Sequence, residues 1–221
     1  MSAVRLKHPR LVAVNRMLLR ASVAPPQRLS GHLAPCYASS MFVDPEVAFQ
    51  PFAVQLRDGS EVTVRAIRVE DADKLQTAIR ALSAESRYTR FFSPLRELPP
   101  ELLRRATHPD AKGELQLVAV AGSGSAEQII AGARYGATTT DGDCEFAVAV
   151  VDEWHGRGLA RLLVETLIRE ARTRGFARME GHILATNVPM LRLAKRLGFA
   201  TVESPEGPSV SLVRRDLGTV A

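Results

Sequence analysis

The stretch "VVDEWHGRGLARLLVETLIREARTRG" (residues 150–175) joins a strand-like run to a long amphipathic helix through two glycines that flank Arg157. The first amides of a helix have no intrahelical partner, and glycine lets an anion approach the backbone closely. Gly156 and Gly158 therefore favour a phosphate-binding turn. A plain strand-to-helix turn remains the alternative at this point.

Two common phosphate motifs are excluded by spacing. Arg161 stands where the dinucleotide fingerprint needs its third glycine, and no Gly-Lys-Ser/Thr follows as in a Walker A loop. The helix itself is well marked, because five apolar residues recur on one face and Gly175 closes it. These are Leu163, Val164, Leu167, Ile168 and Ala171.

The surrounding pattern predicts one mixed α/β (α+β) domain. A hairpin around Asp58–Gly59 is followed by three helical segments, a three-strand meander, the long helix, a strand, a second helix and closing strands. Asn187 is a plausible N-cap of that second helix, with Pro189 in its first turn. We expect a mostly antiparallel sheet of six to seven strands with helices on both faces.

Charge is distributed unevenly along the 221 residues. The net charge is +5, but residues 1–43 hold six basic residues and no acid, which leaves 23 basic and 24 acidic residues elsewhere. A nucleic-acid-binding domain would carry its own basic face, so we expect no nucleic-acid partner. We divide the chain into a basic, poorly ordered arm (1–48) and a domain (49–221).

The arm leaves several interpretations open. It resembles a solvated tail or residues upstream of a start at Met17 or Met41, and less closely an organellar transit peptide or an arm that binds nucleic acid or a membrane. No run of 18 apolar residues predicts a membrane span, and the two cysteines suggest free thiols. We therefore expect a cytoplasmic protein with no membrane partner, either a monomer or a homodimer.

The long-helix stretch resembles the acyl-CoA-binding segment of the GNAT superfamily of N-acyltransferases. Its signature Q/R-x-x-G-x-G/A is matched by His155–Ala160, with His155 as the departure, and "ATNVPMLRLAKRLGF" resembles the second family segment. The resemblance covers roughly residues 52–216 and implies acetyl-CoA as cosubstrate without a metal. The positions it implies for acetyl-CoA are Ala149, Val150, Val151, His155, Gly156, Arg157, Gly158, Leu159, Ala160 and Asn187.

A narrower resemblance lies upstream. "LSAESRYTRFFSPLRELPPELL" followed by "LVAVAG" is similar to the start of the acetyltransferase domain of bacterial protein lysine acetyltransferases. It implies direct acetyl transfer to a protein lysine ε-amino group. A small-molecule amine acceptor, and a non-catalytic module that senses acyl-CoA or binds a partner, remain alternatives.

The resemblance implies Glu145 as the general base, since a glutamate at the matching place deprotonates the amine in those enzymes. Asp152 and Glu153 are alternatives, but they flank the predicted phosphate site and are expected to point into solvent. An amide near Val148 to Val151 would stabilise the oxyanion.

The general acid is less clear. Many relatives have a tyrosine where Ala194 stands here, so Tyr135 or water would protonate the thiolate. Cys144 lacks an evident histidine partner and is interpreted as a strand residue rather than a nucleophile.

Overall fold

The computed structural model describes residues 49–218, which form one eight-stranded sheet flanked by helices. The predicted arm, residues 1–48, lies outside the described residues. The strands are β1 (Phe52–Gln55), β2 (Glu61–Ala66), β3 (Glu114–Ala121), β4 (Gln128–Ala137), β5 (Asp143–Val150), β6 (Arg178–Leu184), β7 (Ala200–Val202) and β8 (Val210–Asp216).

The strands lie in the order β1-β2-β3-β4-β5-β6-β8-β7, and every pairing except β5–β6 is antiparallel. The mixed, mostly antiparallel class is confirmed. The predicted count of six to seven was too low, because both strands of the Asp58–Gly59 hairpin and both closing strands join the same sheet.

In the described part of the chain, five α-helices cover the two faces of the sheet: α1 (Ala72–Ala81), α2 (Ala84–Phe91), α3 (Pro100–Thr107), α4 (Leu159–Thr173) and α5 (Val188–Arg196). α4 buries the predicted stripe Leu163, Val164, Leu167, Ile168 and Ala171 in the main core. The other face carries a smaller core, in which Leu75, Ile79 and Leu102 from α1 and α3 pack on β3 and β4. No helix among residues 49–218 is long and apolar enough to cross a membrane.

The parallel pair β5–β6 is short, and this positions the site. Its register runs only from Asp143 opposite Arg178 to Glu145 opposite Glu180. β5 then continues to Val150 and β6 to Leu184 without pairing to each other. Among residues 49–218, no strand therefore pairs with this edge of β5 beyond Glu145, and we call it the free edge of β5.

Candidate active site

A cavity of about 810 Å³ lies where β5 and β6 stop pairing. Its wall is formed by the second half of β5, the end of β6 and the starts of α4 and α5. Residues of α2, among them Thr89 and Arg90, close the side facing Glu145. The volume is in the range of small-molecule and cofactor sites.

The glycine turn before α4 opens onto this cavity. Gly156 (φ 76°) and Gly158 (φ 96°) both have left-handed backbone conformations, and a Cβ added at either would meet no atom within 4 Å. Gly158 is the N-cap of α4, with no side-chain cap, so the first amides of the helix are available to an anion. The turn thus has the conformation and the space that close approach of a phosphate requires.

Eight of the ten positions predicted for acetyl-CoA lie in the cavity wall: Ala149, Val150, His155, Gly156, Gly158, Leu159, Ala160 and Asn187. Val151 and Arg157 do not. The Val151 amide donates to the Ile130 carbonyl of β4 at 2.9 Å, so it faces away from the cavity. Whether the eight bind acetyl-CoA stays a prediction.

Arg157 is held by protein groups instead. Its guanidinium pairs with Asp58 at 2.7 Å, donates to the Glu153 carbonyl at 2.9 Å and stacks 4.4 Å above the Trp154 ring. The side chain therefore fastens the glycine turn to the β1–β2 hairpin, and its charge is paired with that of Asp58.

The free edge of β5 offers backbone groups to the cavity. The Val150 carbonyl accepts a hydrogen bond of 2.9 Å from Nε2 of His155. The backbone polar groups of Val150 therefore point away from β4. Since alternate residues of a strand face the same neighbour, the Val148 amide also points to the open side. Val148 and Val150 are thus the candidates for binding an oxyanion or the pantetheine arm.

Glu145 lies in the cavity wall at the point where the parallel pairing ends. Its side chain is 23% exposed, and Oε1 lies 3.3 Å from Nδ1 of His182. The carboxylate is thus accessible from the cavity, as a proton acceptor would need to be, and it also contacts a titratable side chain.

The sequence did not single out His182 or Glu206. Nε2 of His182 lies 3.8 Å from Oε1 of Glu206, so the imidazole stands between two carboxylates. In "RMEGHIL", buried Met179 and Ile183 alternate with Glu180 and His182, and this period-two pattern would have placed His182 on the face of Glu145. Nothing local in the sequence points to Glu206, which comes from the β7–β8 connection.

Two arginines add positive charge beside Glu145. Burial, together with the charge of Arg134, lowers the pKa of Arg90 to about 10, and Glu145 opposes the shift. Burial also lowers the pKa of Arg134, whose guanidinium is paired with Glu114 at 3.0 Å. The pKa of Arg90 still lies well above neutral pH, so this guanidinium is charged next to the candidate base.

Asp152 does not point into solvent. Its carboxylate accepts hydrogen bonds from the Ser83 amide at 2.8 Å and the Ser86 hydroxyl at 3.0 Å, at the start of α2. The expectation was wrong because the neighbouring helix terminus supplies donors that only the tertiary structure reveals. Glu153 is exposed, as expected.

The predicted cap at Asn187 is confirmed. Its Oδ1 accepts from the Met190 amide at 3.2 Å, and the residue also lines the cavity. Ala194 is 1% exposed and packs in the main core. A tyrosine hydroxyl is therefore not available at that position.

Tyr135 was expected as one possible proton donor to the thiolate, and the structure contradicts this. The side chain is 0% exposed and packs edge-on against Phe176 at 5.3 Å, on the core face rather than in the cavity wall. Burial raises the pKa of its hydroxyl. Water remains the proposed proton source.

Cys144 is a buried strand residue, as interpreted. Its thiol donates to the Arg178 carbonyl at 3.5 Å, and burial raises its pKa to about 12. A thiolate nucleophile is therefore disfavoured. Residues 49–218 contain no group of three or more His, Cys, Asp or Glu placed to hold a metal ion.

Comparison with known proteins gives the identity of the domain. The model of the acetyltransferase (GNAT) family matches residues 81–199, more than half of the chain. The chain belongs to the GNAT family of acetyltransferases. It is therefore an acyl-CoA-dependent N-acyltransferase with acetyl-CoA as cosubstrate.

Among the relatives, an acetyltransferase of Pseudomonas aeruginosa is 32% identical over 151 residues, which are 68% of this chain and 81% of that protein. The acetyltransferase Pat of Mycolicibacterium smegmatis is 30% identical over 176 residues, 77% of this chain but only 47% of that protein. The crystal structure of the GNAT domain of Streptomyces lividans PAT superposes with a TM-score of 0.69 at 33% identity, covering 75% of this chain and 96% of that one.

Proposed function

We propose that this GNAT enzyme transfers the acetyl group of acetyl-CoA directly to a protein lysine ε-amine, with Glu145 as the general base. The observation that carries the proposal is the position of Glu145. Its carboxylate lies in the cavity wall at one end of the free edge of β5, and the glycine turn lies at the other end.

Acetyl-CoA would lie along the free edge of β5. The amides at the start of α4 would bind the pyrophosphate, because Gly156 and Gly158 leave the space above them empty. The pantetheine arm would pair with the backbone of Val148 and Val150, which directs its polar groups to the open side. This arrangement brings the thioester towards Glu145.

The charges around Glu145 suit an amine acceptor. A lysine amine has a pKa near 10.4 in solution and must be neutral to attack the thioester. Nearby positive charge disfavours the ammonium form, so Arg90 would oppose the Glu145 carboxylate, which favours that form, while the charge of Arg134 is paired with Glu114. The neutral nitrogen attacks the carbonyl carbon and a C–N bond forms, while Glu145 takes the proton that this nitrogen loses. The C–S bond breaks and coenzyme A leaves as thiolate.

A lysine acceptor is supported by the relatives named Pat and by the upstream segment that resembles protein lysine acetyltransferases. Because the chain covers less than half of the Mycolicibacterium protein, the substrates of that whole protein do not transfer to this chain directly.

The test is an acetyl-transfer assay with the purified full chain, isotopically labelled acetyl-CoA, a cell lysate and a panel of small amines. Mass spectrometry should find labelled acetyl groups on protein lysines, and Glu145→Gln should abolish them. Labelled small amines without labelled lysines would overturn the lysine proposal. Binding of acetyl-CoA with no acetylated product in either arm would favour an acyl-CoA sensor.

A further inference from the structure

We propose that His182 receives the acceptor's proton from Glu145, and that the charge of Glu206 stabilises the protonated imidazole. The proposal rests on the function proposed above, and it assigns roles to two residues that lie outside the family's sequence motifs. Its basis is a continuous chain of three side chains leading away from the cavity.

Geometry carries the first link. Oε1 of Glu145 and Nδ1 of His182 are 3.3 Å apart, close enough for a proton to move once Glu145 is protonated. Both side chains lie on the same face of the β5–β6 pair, because Glu145 is opposite Glu180 and His182 is two residues beyond it. His182 also lines the cavity. Its backbone belongs to β6 and not to a loop, so the strand fixes its position.

Glu206 provides the second link. Its Oε1 lies 3.8 Å from Nε2 of His182, and each of these two side chains is 18% exposed. The Glu206 amide donates to the Ser204 hydroxyl at 3.3 Å, and the Gly207 amide donates to the Ser204 carbonyl, so a closed turn fixes the backbone that carries this carboxylate. This distance is too long for a hydrogen bond, but a carboxylate beside the far nitrogen stabilises the cationic form of the ring by its charge.

The proton balance is complete without any further reactant. The N–H bond of the acceptor breaks and an O–H bond forms on Glu145. That proton then moves to Nδ1 of His182, which restores the Glu145 carboxylate and leaves an imidazolium between two carboxylates. The partly exposed ring finally releases one proton to water.

The charges around the ring determine the pH dependence. The hydrogen bond with Glu145 raises the pKa of His182 above its usual value, burial opposes this, and the charges of Glu145, Glu206 and Glu180 add to it. Glu180, on the same strand, is itself paired with Arg214 at 3.1 Å, while Arg90 and Arg134 face Glu145. Since only the neutral ring accepts a proton, turnover should rise as pH rises through this pKa.

The first experiment follows the imidazole by NMR in the isotopically labelled full chain without acceptor. His182 should titrate above its usual pKa in the wild type and at lower pH in Glu206→Gln. Glu203→Gln is the matched control, because it removes an exposed carboxylate from the same β7–β8 connection. A His182 titration that is unchanged in Glu206→Gln would overturn the proposal.

The second experiment measures kcat/KM with acetyl-CoA and the lysine peptide most strongly acetylated in the lysate assay. Dividing kcat/KM of Glu206→Gln by kcat/KM of the wild type cancels the ionisation of the acceptor itself. This ratio should fall severalfold from pH 6.5 to pH 9, because the imidazole of the variant becomes neutral at a lower pH than that of the wild type. His182→Gln should lose roughly 10- to 100-fold at pH 8, less than the loss of the base itself.

The two proposals fail in different ways. A wild-type chain that acetylates no lysine overturns the proposed function, whatever the NMR titration shows. If lysine acetylation is normal but the ratio of kcat/KM between Glu206→Gln and wild type does not change with pH, only the proposed proton transfer is overturned. A ratio that is constant with pH for Glu203→Gln and falls for Glu206→Gln supports that transfer.

Discussion

The carboxylate of Asp152 accepts a hydrogen bond of 2.8 Å from the backbone amide of Ser83, although 69 residues separate them. Asp152 follows β5 and precedes the glycine turn, whereas Ser83 is the N-cap of α2, the helix that carries Arg90. One side chain therefore ties the cofactor side of the cavity to the wall beside Glu145.

Replacing Asp152 should weaken this connection. Asp152→Ala removes two hydrogen bonds at a helix N-terminus, and we expect a loss of about 1 kcal/mol in the free energy of unfolding, measured in urea. The value of kcat/KM for the acceptor should fall more than the affinity for acetyl-CoA, because α2 lies beside Glu145, where the acceptor is proposed to bind. Asp152→Asn keeps one of the two acceptor oxygens, so its free energy of unfolding should fall less than that of Asp152→Ala. Equal losses in both variants would contradict this account.

The glycine turn predicts a binding defect separate from stability. Gly158→Ala places a Cβ in the space proposed for the pyrophosphate and strains a left-handed residue by about 1–2 kcal/mol. Gly124→Ala is the matched control, since Gly124 (φ 58°) is equally unobstructed but lies in the β3–β4 connection. Calorimetry should show at least tenfold weaker acetyl-CoA binding for Gly158→Ala only. Similar affinities in the two variants would exclude the turn as the phosphate site.

A buried ion pair away from the cavity should dominate stability. Arg65 donates to both carboxylate oxygens of Asp71 at 2.6 and 2.8 Å, and each residue is 3% exposed. Asp71→Asn removes one of the two carboxylates that pair with the buried Arg65 cation, which keeps Glu127 at 2.8 Å, and we expect a loss of about 1–3 kcal/mol in urea unfolding. Glu101→Gln, which breaks the exposed pair with Arg104, should cost less than about 1 kcal/mol.

The same pair gives a signed pH dependence. Burial opposes ionisation of Asp71, but hydrogen bonds from Arg65 and the Arg68 amide outweigh it and lower its pKa. A lowered folded-state pKa stabilises the fold above the unfolded-state pKa, near 3.9, and this stabilisation is lost as pH falls. The difference in the free energy of unfolding between wild type and Asp71→Asn should therefore decrease below about pH 4. A constant difference from pH 7 to pH 3 would contradict a lowered pKa for Asp71.

Gly181 is required by the packing beneath the base. A Cβ there would overlap the Phe146 ring, with Cζ at 2.9 Å and Cδ1 at 3.0 Å. Gly181→Ala should destabilise the fold by about 1–3 kcal/mol and displace His182 next to it. Phe146→Leu should partly restore stability in the double variant, as a double-mutant cycle would show. Strictly additive losses would mean that the two positions do not pack as described.

Local patterns in the sequence were sufficient for most of the fold. The α4 stripe, the helix-closing Gly175 and the Asn187 cap depend on residues a few positions apart, and the structure confirms each. The strand count was underestimated, because joining one sheet at its edges is a tertiary property that strand propensity does not specify.

The site was predictable where a motif is contiguous. Gly156 and Gly158 lie at the cavity because the turn and the helix follow each other in the chain. Glu206 and the Asp152–Ser83 bond depend on pairs 24 and 69 residues apart, respectively, which no local pattern encodes. Tyr135 shows the opposite failure, since its place in the predicted meander did not reveal which face of the strand is core.

The central claim is that Glu145 accepts the proton of the attacking amine. The most direct measurement compares Glu145→Gln with wild type for acetyl-CoA affinity and for acetyl transfer to lysine at pH 8. The account predicts unchanged affinity and a loss of about 10²–10⁴-fold in kcat/KM, because the amide keeps the shape but not the basicity of the carboxylate. Wild-type kcat/KM in Glu145→Gln would contradict it.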